Sequence, residues 1–234
     1  MSVCSTNRAI LVLESPWELD NEDSNRTSVL PFVEGIAKLA GNTEVFHANF
    51  YDKKSFEQAL DCLCKRKFES TVVYIAAHGY KKKVGKVNIG DLMFMVGERS
   101  KQFNITGVML GSCFVGENTT TIEVFIEGTN IKWCAGYASS SKWLEGTMID
   151  CAILSRLSIL NDDDFEDKDC IIEAFANAIS PFSANFPIGW NYDNEQISLE
   201  DSMQFVVQQT GRGHKAKLVT EEVFAEQKEY LFDE

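Results

Sequence analysis

Thr71-Val72-Val73-Tyr74-Ile75-Ala76-Ala77-His78-Gly79 is a short, β-branched apolar run that ends in an imidazole and a glycine. Further along, Val108-Met109-Leu110-Gly111-Ser112-Cys113 repeats the plan with a thiol at its end. Apolar runs of this length bounded by Gly are the sequence form of buried strands in a parallel sheet, and open α/β sheets take their ligands at the carboxyl ends of the strands. Both reactive residues therefore emerge at one sheet edge, the arrangement expected of a thiol nucleophile and its base.

Reading outward, strands and helices alternate. Residues 9 to 13 (Ala-Ile-Leu-Val-Leu) form a first buried strand, followed by an acidic loop and a helix from about Ser28 to Leu39 stopped by Gly41. A second strand covers 43 to 50, and a helix from Ser55 to Phe68 sets Phe56, Leu60, Leu63 and Cys64 on one face. After His78, the segment 84 to 96 carries Gly85, Gly90 and alternating Val87, Ile89, Leu92 and Phe94, a pattern that predicts a small hairpin. The strand ending at Cys113 leads through a short turn into a helix from Glu117 to Glu127. A fifth strand runs from Ile131 to Ala138, and a helix from Leu144 to Leu160. Beyond it come a helix from Asp169 to Ile179, a Pro/Asn/Gly-rich loop from Pro181 to Asn194, and a helix capped by Ser198 with Asp201 three residues on. With no repeat or low-complexity linker, one domain is expected over 1–234. Its core would be about 8–160, with a helical and loop extension over about 161–234.

Composition narrows the function. The 234 residues are 44% hydrophobic, enough for a substantial core, and the net charge of -13 with a pI near 4.7 speaks against nucleic acid or an anionic membrane as partner. Acidic stretches at Glu18 to Asp23, Asp162 to Asp169 and Glu221 to Glu234 read as solvated loops, whereas Lys81-Lys82-Lys83 makes a small basic turn just after His78. The amino terminus lacks a signal-peptide pattern and Ala9 to Leu13 is too short to span a bilayer, so a cytoplasmic protein is expected. Seven scattered cysteines, an odd count, then read as reduced thiols.

No metal or cofactor is expected. His47 and His214 lack partners at metal-ligand spacing, and Cys62 and Cys64 sit two apart on a helix, facing different directions. Gly211 to Gly213 is too short for a phosphate loop. Glu14-Ser15-Pro16-Trp17 stands where a flavodoxin-like nucleotide binder would carry its Gly-rich turn. Cys134, Cys151 and Cys170 lie inside apolar stretches and read as packing residues.

Cys113 closes a strand and precedes a helix, where a thiolate can be favoured, and His78 on the neighbouring strand can carry a proton to a leaving amine. Gly79 lets a backbone N–H approach the substrate. Together with the Cys113 N–H it would stabilise a tetrahedral oxyanion, typically by about 3 kcal/mol per donor.

A hydrophobic strand ending in His-Gly, then one ending in small-residue-Cys, on an α/β scaffold, resembles the caspase-like (clan CD) cysteine peptidases, and the CHAT-type bacterial branch in particular. The resemblance covers residues 8 to about 160 and extends to Gly136-Tyr137-Ala138-Ser139, similar to the substrate-pairing strand of that family. It implies a three-layer caspase-like (caspase-hemoglobinase) α/β fold, with a mostly parallel central sheet and helices on both faces. It further implies His78 as general base or acid, Cys113 as nucleophile, Gly79 as oxyanion donor, and a peptide substrate that adds to the strand near Ser139, Ser140 and Ser141. Gly111-Ser112-Cys113 and the three serines stand where animal caspases carry Gln-Ala-Cys and aspartate-recognising arginines, so aspartate specificity is not expected. Glu14, at the end of the first strand, is a candidate pocket acid.

The leading reading is an endopeptidase that cleaves a protein partner, as a bacterial defence or regulated-killing effector, either active as made or switched on by an activating protein partner. The alternative is a catalytically inactive caspase-like module that recruits another protein.

Overall fold

The structure, a computed structural model, describes residues 7–16, 27–211 and 213–230. Trp17 and the acidic stretch Glu18 to Asp23 lie outside the described residues, as do Arg212 and the last residues of the acidic carboxyl terminus.

The β-α alternation is present as expected in the first half. Strand β1 (Arg8–Glu14) is followed by α1 (Leu30–Ala40), β2 (Thr43–Asn49), α2 (Lys53–Leu63) and β3 (Ser70–Ala76). Gly41 closes α1 in the left-handed region at φ 77, and a reciprocal cap between Asp52 and Ser55 opens α2. Three short strands, β4 (Gly79–Tyr80), β5 (Lys83–Val84) and β6 (Val87–Asn88), then form a separate small sheet.

The hairpin expected over 84 to 96 is half right. Its strands end at Asn88, whose side chain accepts the Gly90 N–H at 2.9 Å and caps α3 (Ile89–Phe103). Ile89, Leu92, Met93 and Val96 are all buried, a helical period that the alternation of Val87 and Ile89 concealed. The chain continues with β7 (Ile105–Gly111), α4 (Thr119–Ile126), β8 (Trp133–Tyr137) and α5 (Trp143–Leu157).

The carboxyl-terminal segment differs most from expectation. After α6 (Lys168–Ile179), the Pro/Asn/Gly-rich stretch contains β9 (Pro187–Trp190), which pairs antiparallel with β10 (Gln196–Ser198). Ser198 caps only a single turn, α7 (Leu199–Ser202), before β11 (Met203–Val207), β12 (Lys217–Leu218) and α8 (Thr220–Tyr230). The acidic run from Glu221, read as a solvated loop, is mostly helix, with Val223 and Phe224 in the core.

The main sheet has seven strands in the order β12-β11-β8-β7-β3-β1-β2. Strands β8, β7, β3, β1 and β2 run parallel, while β11 is antiparallel to β8 and β12 to β11. Alternate side chains feed two cores. Ile10, Val12, Val72, Tyr74 and Met109 pack toward α1, α5, α6 and α8, and Leu11, Leu13, Val73, Ile75 and Val108 toward α2, α3 and α4. Among the described residues, no helix is long and apolar enough to cross a membrane.

Candidate functional site

Strands β3 and β7 are parallel neighbours with Ala76 opposite Gly111, so His78 and Cys113 stand equally far beyond the last pair, at the carboxyl edge. His78 is exposed, and its carbonyl accepts the Gly85 N–H at 2.6 Å. In the antiparallel β4–β5 pair Gly79 lies opposite Val84. The alternation of bonded and non-bonded pairs turns its N–H away from that partner. A Cβ at Gly79 would lie 2.0 Å from the Cys113 carbonyl oxygen and 2.8 Å from the Cys113 nitrogen. Only glycine permits this approach, and it brings the His78-Gly79 backbone directly onto Cys113.

Cys113 itself sits in a tight turn, and α4 begins only at Thr119, so the turn rather than a helix end holds the thiol. Phe114 adopts a left-handed φ of 60, and its N–H donates to the Ser139 carbonyl at 2.9 Å. The Gly116 N–H donates to the Tyr137 carbonyl at 2.8 Å, and a Cβ on Gly116 would be 2.5 Å from Gly136. The turn is thereby folded flat over the end of β8. The Cys113 sulfur accepts the Ser141 N–H at 3.3 Å and lies 3.9 Å from both the Ser141 carbonyl and hydroxyl oxygens.

The stretch 137 to 142 departs from the open strand edge that the sequence suggested. Tyr137, Ser139 and Ser141 face the Cys113 turn through the bonds just described. On the other edge, the Ser140 N–H donates to the Trp190 carbonyl at 3.0 Å and the Lys142 N–H to the Ile188 carbonyl at 2.9 Å. Ser140 Oγ accepts the Trp190 N–H at 2.8 Å, and Ser139 Oγ lies 2.7 Å from Ser202 Oγ. The β9–β10 hairpin thus covers one edge of the segment and the Cys113 turn the other, with the Ser141 N–H held by the Cys113 sulfur itself.

Glu14, the candidate pocket acid, is buried and engaged. Its carboxylate accepts from Ser28 Oγ at 2.8 Å and Val29 N–H at 2.9 Å, and lies 3.2 Å from His47 Nε2. These partners tie the end of β1 to the start of α1. Gly111 has no room for a side chain, because a Cβ would come 2.6 Å from both Asp150 Oδ2 and the Tyr74 ring.

That contact belongs to a buried network missed in the sequence. Tyr74 and Tyr137 hydroxyls each donate to Asp150 at 2.7 Å, beneath the Cys113 turn. Burial pushes the Asp150 carboxyl up to about 7 against the opposing pull of the two hydroxyls, and burial likewise raises both tyrosines well above their ordinary value. The sequence offered only a faint signal, an acid between the apolar Ile149 and Cys151.

Over the turn lies an aromatic cluster, also missed. Tyr192, at the tip of the β9–β10 hairpin, stacks on Phe114 with centroids 4.3 Å apart, and Tyr80 meets both rings edge-on. The Tyr192 hydroxyl donates to Glu117 Oε1 at 2.8 Å. Three of the other thiols are buried, whereas Cys62 is exposed and Cys170 half-buried on helices away from this edge. Cys64 and Cys151 are pushed by burial up to about 11 and about 12, and Cys134 is fully buried and raised further, while Cys113 is half-buried at the site. Among the described residues, no cluster of His, Cys, Asp and Glu could hold a metal ion. A cavity of about 830 Å3 lined by Arg8, Arg66 and Asn161 lies near the start of β1, away from this edge.

No family model and no curated protein matches the chain. Among solved structures, it is similar to a secreted C11 cysteine protease from Bacteroides thetaiotaomicron in complex with an irreversible peptide inhibitor. The TM-score is 0.50 at 10% identity, over 94% of this chain and 67% of that one. A second structure of a secreted C11 cysteine protease from the same organism, called iotapain, gives 0.47 at 10% identity over 88% and 66%. The likeness is one of architecture: the chain has a mixed α/β fold with a mostly parallel seven-stranded sheet flanked by helices, similar to the caspase-like fold of the C11, clan CD cysteine proteases.

Proposed function

We propose that this chain is a cysteine endopeptidase in which Cys113 is the nucleophile and His78 the acid–base group. The observation that carries the reading is the approach of Gly79 onto Cys113, which sets an imidazole-bearing loop and a thiol-bearing turn in contact at the carboxyl edge of two adjacent parallel strands. The thiol proton passes to His78 as sulfur attacks the scissile carbonyl, and the C–N bond breaks as that proton is delivered to the departing amine. The Cys113 and Gly79 N–H groups hold the oxyanion meanwhile. Water then releases the acyl group from sulfur with His78 as base. A partly exposed thiol among buried, protonated ones supports Cys113 over Cys64, Cys134 and Cys151.

The Ser141 N–H, aimed at Cys113 Sγ, is a main-chain donor that an extended substrate meets beside the sulfur. Ser139 and Ser140 act behind it, as the braces that hold Ser141 in place. The ligand is a protein or peptide, and the further placement in the CHAT-type branch, as an effector of bacterial defence or regulated killing, rests on the His-Gly and Ser-Cys strand ends alone.

The test is cleavage of a candidate protein partner by Cys113→Ala and Cys134→Ala chains. Loss of cleavage in the first and retention in the second is expected. Equal activity in the two overturns the assignment.

A further inference from the structure

We propose that the cavity beside the Cys113 turn binds an acidic segment of the substrate polypeptide. The inference rests on the peptidase reading for the identity of the bound chain, and it adds a substrate class that the His78–Cys113 geometry leaves open. A surface cavity of about 670 Å3 opens between the β4–β5 turn and the tip of the β9–β10 hairpin, walled by Tyr80, Lys81, Lys82, Lys83, Glu117 and Tyr192. It is contiguous with the site on both sides. Tyr80 follows Gly79, which lies against Cys113, and Tyr192 stacks on Phe114, the residue after Cys113.

The charge of the wall is opposite to that of the chain as a whole. The chain carries 35 acidic against 22 basic side chains, and most of such a surface repels anions. Here three consecutive lysines are exposed, and among the described residues none of the ion pairs includes any of them. Glu117, the one carboxylate in the wall, already accepts the Tyr192 hydroxyl. Lys81 Nζ stands 5.2 Å over the Tyr80 ring, which leaves an ammonium group beside an aromatic face. A segment that offers carboxylates to the lysines and an apolar side chain to the Tyr80 and Tyr192 rings satisfies both halves of this wall.

The wall is also held in place before a ligand arrives. Lys81 takes the left-handed turn position at φ 53, its carbonyl accepts Asn118 Nδ2 at 3.0 Å, and the Lys82 carbonyl accepts the Ile89 N–H at 2.9 Å. The lysine backbone therefore has little order left to gain on binding.

The experiment compares the parent with a Lys81→Glu/Lys82→Glu/Lys83→Glu chain on two mixed peptide pools, one rich in Glu and Asp and one neutral. The parent is expected to cut the acidic pool roughly tenfold faster, with the preference fading at high salt. The triple variant should lose that preference while cutting the neutral pool as the parent does. Cleavage by both proteins with the same ratio between pools overturns the inference and leaves the peptidase reading standing. In parallel, binding of a fluorescein-labelled Glu-rich peptide is followed by anisotropy in Cys113→Ala and in the same chain with the three lysines reversed. Lysine-dependent binding without any cleavage by the parent sustains the acidic-segment site and overturns the peptidase reading. Equal binding by the two chains overturns the site.

Discussion

Asp150 is the residue whose chemistry most strongly opposes its surroundings. Its carboxyl is fully enclosed, receives two tyrosine hydroxyls, and ionises at about 7 instead of the ordinary 3.8. The unfolded chain therefore gives up this proton well before the native protein does. Stability that depends on the neutral acid is full below about pH 4 and is lost as pH rises through about 7. An Asp150→Asn chain holds a neutral group of the same shape at every pH. Between about pH 5 and pH 8 the parent should lose roughly 2 to 3 kcal/mol of unfolding free energy relative to the variant, read from urea denaturation at each pH. Parallel profiles for the two proteins would show that Asp150 does not titrate in this range. His78 and Cys113 were visible in the sequence because each ends an apolar run. Asp150 was less so, since a single acid in a helix is ordinarily solvent-facing and only the facing tyrosines of β3 and β8 reveal its burial.

At the scale of elements, the parallel strands and their helices were legible because the 2-residue and 3.6-residue periods are properties of local sequence. The β9–β10 hairpin was not, because Pro181 to Asn194 carries the Gly, Asn and Pro of a loop and its pairing is fixed by a distant partner, the 140–142 segment. Gly189 shows how close that pairing is: a Cβ there would be 1.9 Å from the Ser140 carbonyl oxygen. Both atoms in conflict belong to or are fixed by backbone, so neither side can give way cheaply. Gly189→Ala should destabilise the protein by about 1 to 3 kcal/mol and lift the hairpin from Ser140. The expected readout is faster proteolytic nicking between residues 190 and 196, with the remaining fold intact. Unchanged nicking and unchanged Tm would mean that the hairpin is held by Tyr192 on Phe114 rather than by its main chain.

For the whole molecule, the boundary suggested by sequence near residue 160 falls inside one core. Trp133 of β8 meets Phe175 of α6 at 5.7 Å, Phe175 meets Phe205 of β11 at 4.6 Å, and Phe205 meets Phe224 of α8 at 6.1 Å. Three of these four rings come from beyond residue 160, and all four are almost completely buried. Among the described residues, β11 is the strand that pairs with the β8 edge opposite β7. The sequence hid this because Met203 to Val207 follows directly on a helix cap and lies antiparallel to the sheet, outside the β-α alternation that organises the first half. A chain cut after Leu160 would expose Trp133, leave Ala135 and Tyr137 without their cover, and present β8 as a bare edge. Each buried aromatic removed from such a core costs about 3 to 5 kcal/mol, so three together cost about 9 to 15 kcal/mol, comparable to the whole stability of an ordinary domain at about 5 to 15 kcal/mol. Residues 1 to 160 alone should therefore show no cooperative unfolding transition and should aggregate, whereas a chain that ends at Tyr230 should melt cooperatively, as followed by circular dichroism. A sharp melting transition in the shorter chain would place the aromatic ladder outside the folding unit and restore the boundary.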